Sequence, residues 1–303
     1  MPGRWDEACF AVPALRALVG SGLVGGVLCY EGQEVFWETV CDLPIISCPA
    51  RASVRAAVAK IGSGWEASLV WEAGLFAKAL AKAKIARRLG PDEISLKKLL
   101  THPLSCREGA TEHRVRMYGK ACEQMGISVD RQEYYSAAPM GIAASLGSVL
   151  LCPGSDFGVS HEWALDGWQE VAEALLEQGK RLTVAGVVGG RGLGKILAGR
   201  LGSEVEFFHA APLAPALTLF AAHQLVIAAD GSLPHLAAHA GSTCVTLFGP
   251  NDAVWKRPLG KRHMVVKRHV ECAPCLSAKC VMDRRCQTEL TAARVLAAIP
   301  QSF

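Results

Sequence analysis

The sequence is informative first for what it lacks. No apolar run approaches the roughly 18 residues that a membrane-crossing helix needs. The opening stretch, PGRWDE, has none of the layout of a secretory signal. A cytoplasmic protein is therefore expected, neither spanning a membrane nor exported. The net charge is only +4, far below the charge density of a nucleic-acid binder, so no nucleic acid is expected among its partners. The balance does not oppose a phosphorylated or anionic substrate. Low-complexity tracts are missing as well.

Two familiar chemical motifs begin and are not completed. In AGVVGGRGLGKI, Gly189, Gly194 and Lys195 have the spacing of a phosphate-binding P-loop, but Ile196 stands where a hydroxyl must hold magnesium. His161 and Glu162 open like a zinc-protease helix, yet Leu165 occupies the place of the second histidine. An ATPase and a zinc protease are set aside on these grounds.

What is present is a large apolar content, half of 303 residues, enough for about two domains, each with its own core. Apolar runs alternate with helical patterns. Residues 9–20, 34–40, 53–61, 73–84 and 112–125 read as helices, with strands at 24–30, 43–48 and 66–72. After a small-residue stretch at 136–147, read as a linker, the alternation restarts. Strands are expected at 148–152, 181–187, 204–208, 225–229, 243–248 and 263–267, and helices at 166–179, 193–201, 215–223, from 233 and at 291–299. Such alternation predicts parallel sheets covered by helices, here as two doubly wound domains, 1–140 and 141–303, facing a central cleft. The first domain would start on a helix, its usual opening strand missing.

The stretch LVIAADGSLPHLAAHAGSTCVTLFGP, Leu225 to Pro250, organises the second half. It reads strand, polar turn, helix, strand. In parallel α/β sheets ligands bind at such turns, and the helix start offers backbone N–H groups to an anion. His235 and His239, four apart, can share a helix face at the spacing of two metal ligands, but no third ligand lies nearby and one functional and one packing histidine are expected.

Of twelve cysteines, Cys272, Cys275, Cys280 and Cys286 form C-x2-C-x4-C-x5-C. This spacing suits a structural zinc acting as a local staple, or two disulfides, or a set of reduced thiols. Along 73–84, Lys78, Lys82 and Lys84 lie beside Leu75, Phe76, Ala79 and Leu80. A sheet-covering helix with a solvated face is expected, contact with anionic lipid being the alternative.

Taken together, several stretches resemble glycosyltransferase family 9, the bacterial heptosyltransferases. DGSLPHLAAHAGSTCVTLFGP is similar to the family's donor-site signature, CPGSDFG followed by Trp163 to its PGA-E-FG segment, and PGRWDEACFAVPALRAL to its amino-terminal PNWLGDAVMALPALRAL pattern. The cysteine cluster resembles the tail of the heptosyltransferase II branch. The resemblance covers nearly the whole chain.

It implies a GT-B fold of two Rossmann-like domains, the first binding acceptor and the second the nucleotide sugar. It also implies transfer of a heptose or related sugar from ADP-heptose to lipopolysaccharide core or another glycan, inverting and without a catalytic metal. The implied place of work is the cytoplasmic face of the inner membrane, touched peripherally. By the same resemblance Asp230, with Gly231, would hold sugar or ribose hydroxyls, Ser232, Leu233 and His235 would meet the diphosphate, and Ser155 belongs to the phosphate-facing loop. Glu7, beside Asp6, stands in the register of the catalytic base, where the family has Gly-Asp. The family's phosphate-pairing lysine is His161 in this chain, and its Asp-Ser/Thr-Gly turn is Asp-Gly-Ser. These departures bring in a second reading, a relative that binds a nucleotide sugar or saccharide without rapid transfer.

Overall fold

The computed structural model describes residues 1–186, 192–209, 213–301 and 303. The chain divides into two compact units, Met1–Ser136 and Ala137–Phe303. The division falls slightly before the expected boundary because Ala138 N–H donates to the His239 carbonyl, tying the small-residue stretch to the second unit.

The first unit opens on helix α1 (Trp5–Gly20) and continues with β1 (Val27–Tyr30), α2 (Glu34–Glu38), β2 (Ile45–Cys48), α3 (Val54–Ile61) and β3 (Ala67–Leu69). Then follow α4 (Leu75–Lys82), β4 (Arg87–Pro91), β5 (His102–Leu104) and α5 (Val115–Gln124). All pairings are parallel, as expected, but they form two separate sheets, β1-β2 and β3-β4-β5. One apolar cluster joins them, with Cys48, Val70, Phe76, Leu80 and Leu96 buried and Leu28 and Tyr30 packed against it. Strands β4 and β5 were not legible in sequence, because Arg, Gly and Pro in RRLGP and HPL argue against strand. On α4, Phe76, Ala79 and Leu80 are buried and Lys78 and Lys82 exposed, which is the sheet-covering arrangement.

In the second unit the strands are β6 (Ser145–Cys152), β7 (Arg181–Gly186), β8 (Val205–His209), β9 (His223–Ala229), β10 (Thr243–Phe248) and β11 (Met264–Lys267). Between and after them come α6 (Leu165–Glu177), α7 (Leu193–Leu201), α8 (Leu213–Ala222), α9 (Ser232–Ala240), α10 (Ala253–Lys256), α11 (Arg285–Thr288) and α12 (Ala292–Leu296). One six-stranded parallel sheet results, in the order β11-β10-β9-β6-β7-β8. Taken from the far edge this is 3-2-1-4-5-6, the doubly wound order, and its direction reverses between β6 and β9.

Residues 145–147, read as linker, instead open β6. The core holds Val149, Leu151, Ile227, Val245 and Leu247 from the sheet and Trp163, Trp168 and Leu175 from one flank. Trp163 donates to the Leu290 carbonyl at 2.9 Å. Of the P-loop-like segment, Gly189 lies outside the described residues; Gly194 packs on the Ala185 carbonyl, where a Cβ would approach to 2.6 Å. That contact is the close helix-to-strand packing of a glycine-rich turn.

Candidate active site

The reversal of strand order between β6 and β9 places two turns side by side at the carboxyl ends of those strands. One is the loop 153–158 after β6, and the other is Asp230-Gly231 between β9 and α9. The Ser155 hydroxyl donates to the Asp230 carbonyl at 2.5 Å and accepts from Phe157 N–H at 3.1 Å. Ser155 N–H lies 3.4 Å from a Glu162 carboxylate oxygen. The sequence-predicted Ser155, His161, Asp230, Gly231 and Ser232 thus form one cluster, although 69 positions separate His161 from Asp230.

Asp230 is fully buried. Its Oδ2 lies 2.9 Å from Nδ1 of His161 and accepts from the Asn251 side-chain amide at 2.7 Å. Its Oδ1 is buried with no hydrogen-bond partner among the described residues. Burial raises the pKa of this carboxyl, and the bonds from His161 and Asn251 act against that rise. His161, itself buried, sits on a 3-10 turn (Val159–His161) and is committed to Asp230.

At the start of α9 the anion present is the protein's own. The Asp156 carboxylate accepts from Ser232 N–H at 2.8 Å and from the Ser232 hydroxyl at 2.6 Å. Gly231 leaves room for this, since a Cβ there would lie 2.8 Å from Asp156 Oδ1 and 3.2 Å from Ser155 Oγ. Leu233 and His235 follow on the first turn of α9, both buried. His239 is buried one turn later.

In the first unit, Asp6 and Glu7 occupy the first turn of α1. Asp6 is buried and takes two bonds from the Arg4 guanidinium, at 3.1 and 3.0 Å. Glu7 accepts from Arg114 Nε at 3.0 Å and from the Tyr118 hydroxyl at 2.6 Å. Arg114 also donates to Glu108 at 2.8 Å. Burial pulls the Arg114 pKa down, but Glu7 and Glu108 outweigh it and the net shift is upward. Burial, reinforced by the Glu7 charge, raises Tyr118 well above the ordinary phenol. Tyr118 therefore acts as a neutral donor to a carboxylate.

Sequence reasoning missed Asp156, Asn251, Glu162, Arg114, Tyr118 and Glu108. Asp156 lay in a quoted loop and Asn251 directly after FGP, so both had a positional signal. Arg114 and Tyr118 offered only their i, i+4 spacing, which is common on any helix.

The cysteine cluster departs from the metal-site expectation. Cys272 and Cys275 are exposed, Cys280 is half-buried, Cys286 is buried, and all four are free thiols. Among the described residues, no three His, Cys, Asp or Glu side chains are arranged to hold a metal ion. The segment is docked instead by polar bonds. Ser160 Oγ donates to the Ser277 carbonyl at 2.7 Å, Leu276 N–H to the Pro250 carbonyl at 2.8 Å, and the Gln287 amide to the Ser160 carbonyl at 3.3 Å.

A doubly wound parallel sheet with a polar turn and a helix start at its switch point defines a Rossmann-like α/β unit. The chain belongs to glycosyltransferase family 9, the heptosyltransferase family, whose pattern matches residues 115–285. It is similar to lipopolysaccharide heptosyltransferase 2 of Escherichia coli, 23% identical over 149 residues, 48% of this chain and 42% of that protein. It is also similar to lipopolysaccharide heptosyltransferase 1 of Pseudomonas aeruginosa, 25% identical over 188 residues, 59% of this chain and 50% of that protein. The chain thus spans about half the length, or less, of these curated relatives. The structure of Escherichia coli ADP-heptose heptosyltransferase II superposes with a TM-score of 0.74 at 17% identity, covering 98% of this chain and 95% of that one. A family 9 glycosyltransferase from Veillonella parvula gives 0.80 at 12% identity, over 98% and 93%. At these identities the superpositions establish the fold, parallel α/β of the GT-B type. No helix among the described residues is long and apolar enough to cross a membrane.

Proposed function

We propose that this protein transfers a heptose or related sugar from an ADP-sugar to lipopolysaccharide core or another glycan, with inversion and without a catalytic metal. Its second unit takes the donor and its first unit the acceptor, and it works in the cytoplasm, peripherally at the inner membrane. The observation that carries this reading is the buried cluster at the β6/β9 switch point. There Asp230 is held by His161 and Asn251 and keeps one carboxylate oxygen without a partner among the described residues. An unfilled buried acceptor is suited to a sugar or ribose hydroxyl. The N–H groups at the start of α9, with His235, meet the diphosphate, whose charge grows as it leaves.

In the reaction Glu7 takes the proton from the acceptor hydroxyl while that oxygen bonds to the anomeric carbon. The bond from that carbon to the diphosphate breaks, and ADP departs. Arg114 and Tyr118 fix the Glu7 carboxylate for this step. The alternative reading, nucleotide-sugar binding without rapid transfer, draws on the same bonds, because Arg114 and Tyr118 both already engage the Glu7 carboxylate.

The test is ADP release from ADP-heptose with a deep-core lipopolysaccharide acceptor. Glu7→Gln is expected to lower kcat about 100-fold or more while ADP affinity stays within a few-fold. Full turnover in that variant would remove Glu7 from the proton transfer. ADP binding without release under any acceptor would select the binding-only reading.

A further inference from the structure

The tail that carries the four cysteines is bonded to the residue just before each of Asp230's two partners. His161 follows Ser160, and Asn251 follows Pro250. Ser160 is fastened to the tail twice, its hydroxyl donating to the Ser277 carbonyl at 2.7 Å and its carbonyl accepting from Gln287 Nε2 at 3.3 Å. Pro250 is fastened once, its carbonyl accepting from Leu276 N–H at 2.8 Å. Gly158, at a φ of 117°, lets the tail come this close, because a Cβ there would lie 2.8 Å from the Ala278 carbonyl oxygen.

Gln287, on α11, meets both turns. It is fully buried. Its Nε2 reaches Ser160, and its amide lies against Gly249, where a Cβ would come within 2.3 Å of Nε2 and 3.0 Å of the amide carbon. Its Oε1, by contrast, is buried with no hydrogen-bond partner among the described residues. An orphaned amide oxygen in the interior costs stability, and a methionine of similar length would fill the space without that cost. Packing therefore does not account for an amide at 287, whereas the bond from Nε2 to Ser160 does.

Both partners of Asp230 bond the same oxygen, Oδ2, and leave Oδ1 without a partner among the described residues. A carboxylate held by groups from two separate turns keeps its aim only while both turns are held. We propose that Gln287 is a positioning residue for the donor site. By fastening Ser160 and seating Gly249 it keeps His161 and Asn251 on one oxygen of Asp230, and so aims the other at the ligand. This rests on the reading of the second unit as an ADP-sugar site, and it gives the tail a supporting part that its cysteine spacing does not point to.

The test uses the full chain. Gln287→Met removes the amide and keeps its length. ADP affinity by calorimetry is expected to fall about 10-fold, the order seen when a partner that orients a ligand-binding side chain is removed from a metal site. The urea midpoint should stay at or above that of wild type, whereas a residue needed for packing alone would lose both together. The His161 ring nitrogens, observed by NMR and assigned by their loss in His161→Gln, report the bond to Asp230 and are expected to shift in Gln287→Met. Ser160→Ala, which removes only the hydroxyl bond to Ser277, should shift the same resonances in the same direction. Unmoved His161 resonances in both variants, unchanged ADP affinity, or an ADP loss that merely follows a lowered urea midpoint would overturn the assignment. Wild-type protein that binds no ADP would overturn the donor-site reading, and the His161 resonances would still decide whether Gln287 holds this turn.

Discussion

Asp156 and Ser232, 76 positions apart, are joined twice, with the carboxylate of one holding both the N–H and the hydroxyl of the other. The helix start that suits a phosphate is thus capped by an internal anion. Under the proposed function, a donor phosphate would compete with the Asp156 carboxylate for the same donors, and like charges would raise the cost of both being present. Asp156→Asn is expected to tighten ADP binding about five-fold, corresponding to about 1 kcal/mol for a charge at a helix terminus. Calorimetric titration of both proteins at one salt concentration checks it, and weaker binding in the variant would mean that Asp156 shapes the site rather than competes for it.

Asp230 is the acceptor for one buried partner, His161, and one half-buried donor, Asn251. Asp230→Ala strips the partner from His161 Nδ1 and Asn251 Nδ2. Unpaired buried groups cost about 1–3 kcal/mol each, and the loss of a desolvated carboxylate returns part of that. A net destabilisation of about 1–3 kcal/mol is expected. Urea unfolding measures it, and an unchanged midpoint would show that water replaces the carboxylate at no cost.

Arg114 separates two carboxylates, Glu7 and Glu108, that would otherwise face each other in a half-dry setting. Arg114→Ala should destabilise the first unit by about 3 kcal/mol, the lower end for breaking a buried pair. Adding Glu108→Gln to that variant should recover part of the loss by removing one of the like charges. If the double variant is no more stable than the single one, repulsion is not the cause.

His263 gives the fold a pH dependence. Burial, then the nearby Arg262, lowers its pKa from 6.5 to about 4. Its Nδ1 accepts Cys244 N–H at 3.2 Å, a bond that only the form with an unprotonated Nδ1 can make. Between those two values the unfolded chain binds the proton and the folded chain does not. Stability is therefore full above about pH 6.5 and is lost progressively as pH falls toward 4. Thermal melts from pH 7.5 to 4.5 should show this fall, with a shallower slope in His263→Asn, and equal slopes in the two proteins would exclude His263 as its source.

Much of the second unit was legible in the sequence because its inner strands are buried on both faces. LVIAA and TCVTLF are continuous apolar runs ended by polar turns, and such runs specify strands almost irrespective of context. The first unit was less legible. Its strands are short, and RRLGP and HPL hide behind charge, glycine and proline, being held by parallel pairing with β3 and with each other rather than by strand preference. The cysteine spacing suggested a metal site, but spacing fixes only reach, and among the described residues no three ligand side chains are arranged to hold a metal ion.

By itself the sequence determined the alternation of strands and helices, the doubly wound class, and the turn Asp230-Gly231-Ser232 as the place where chemistry should lie. These are local properties, written in periodicity and turn residues. Only the tertiary structure decided what that turn touches. Strand order brought the loop after β6 against the end of β9, so that Asp156 reached Ser232, His161 and Asn251 reached Asp230, and Lys256 came to rest on Phe157. His161 and Asp230 are 69 positions apart, and no local preference records such a pairing. It follows from parallel strand order, which sets neighbours by the burial of whole strands rather than by nearness in the chain.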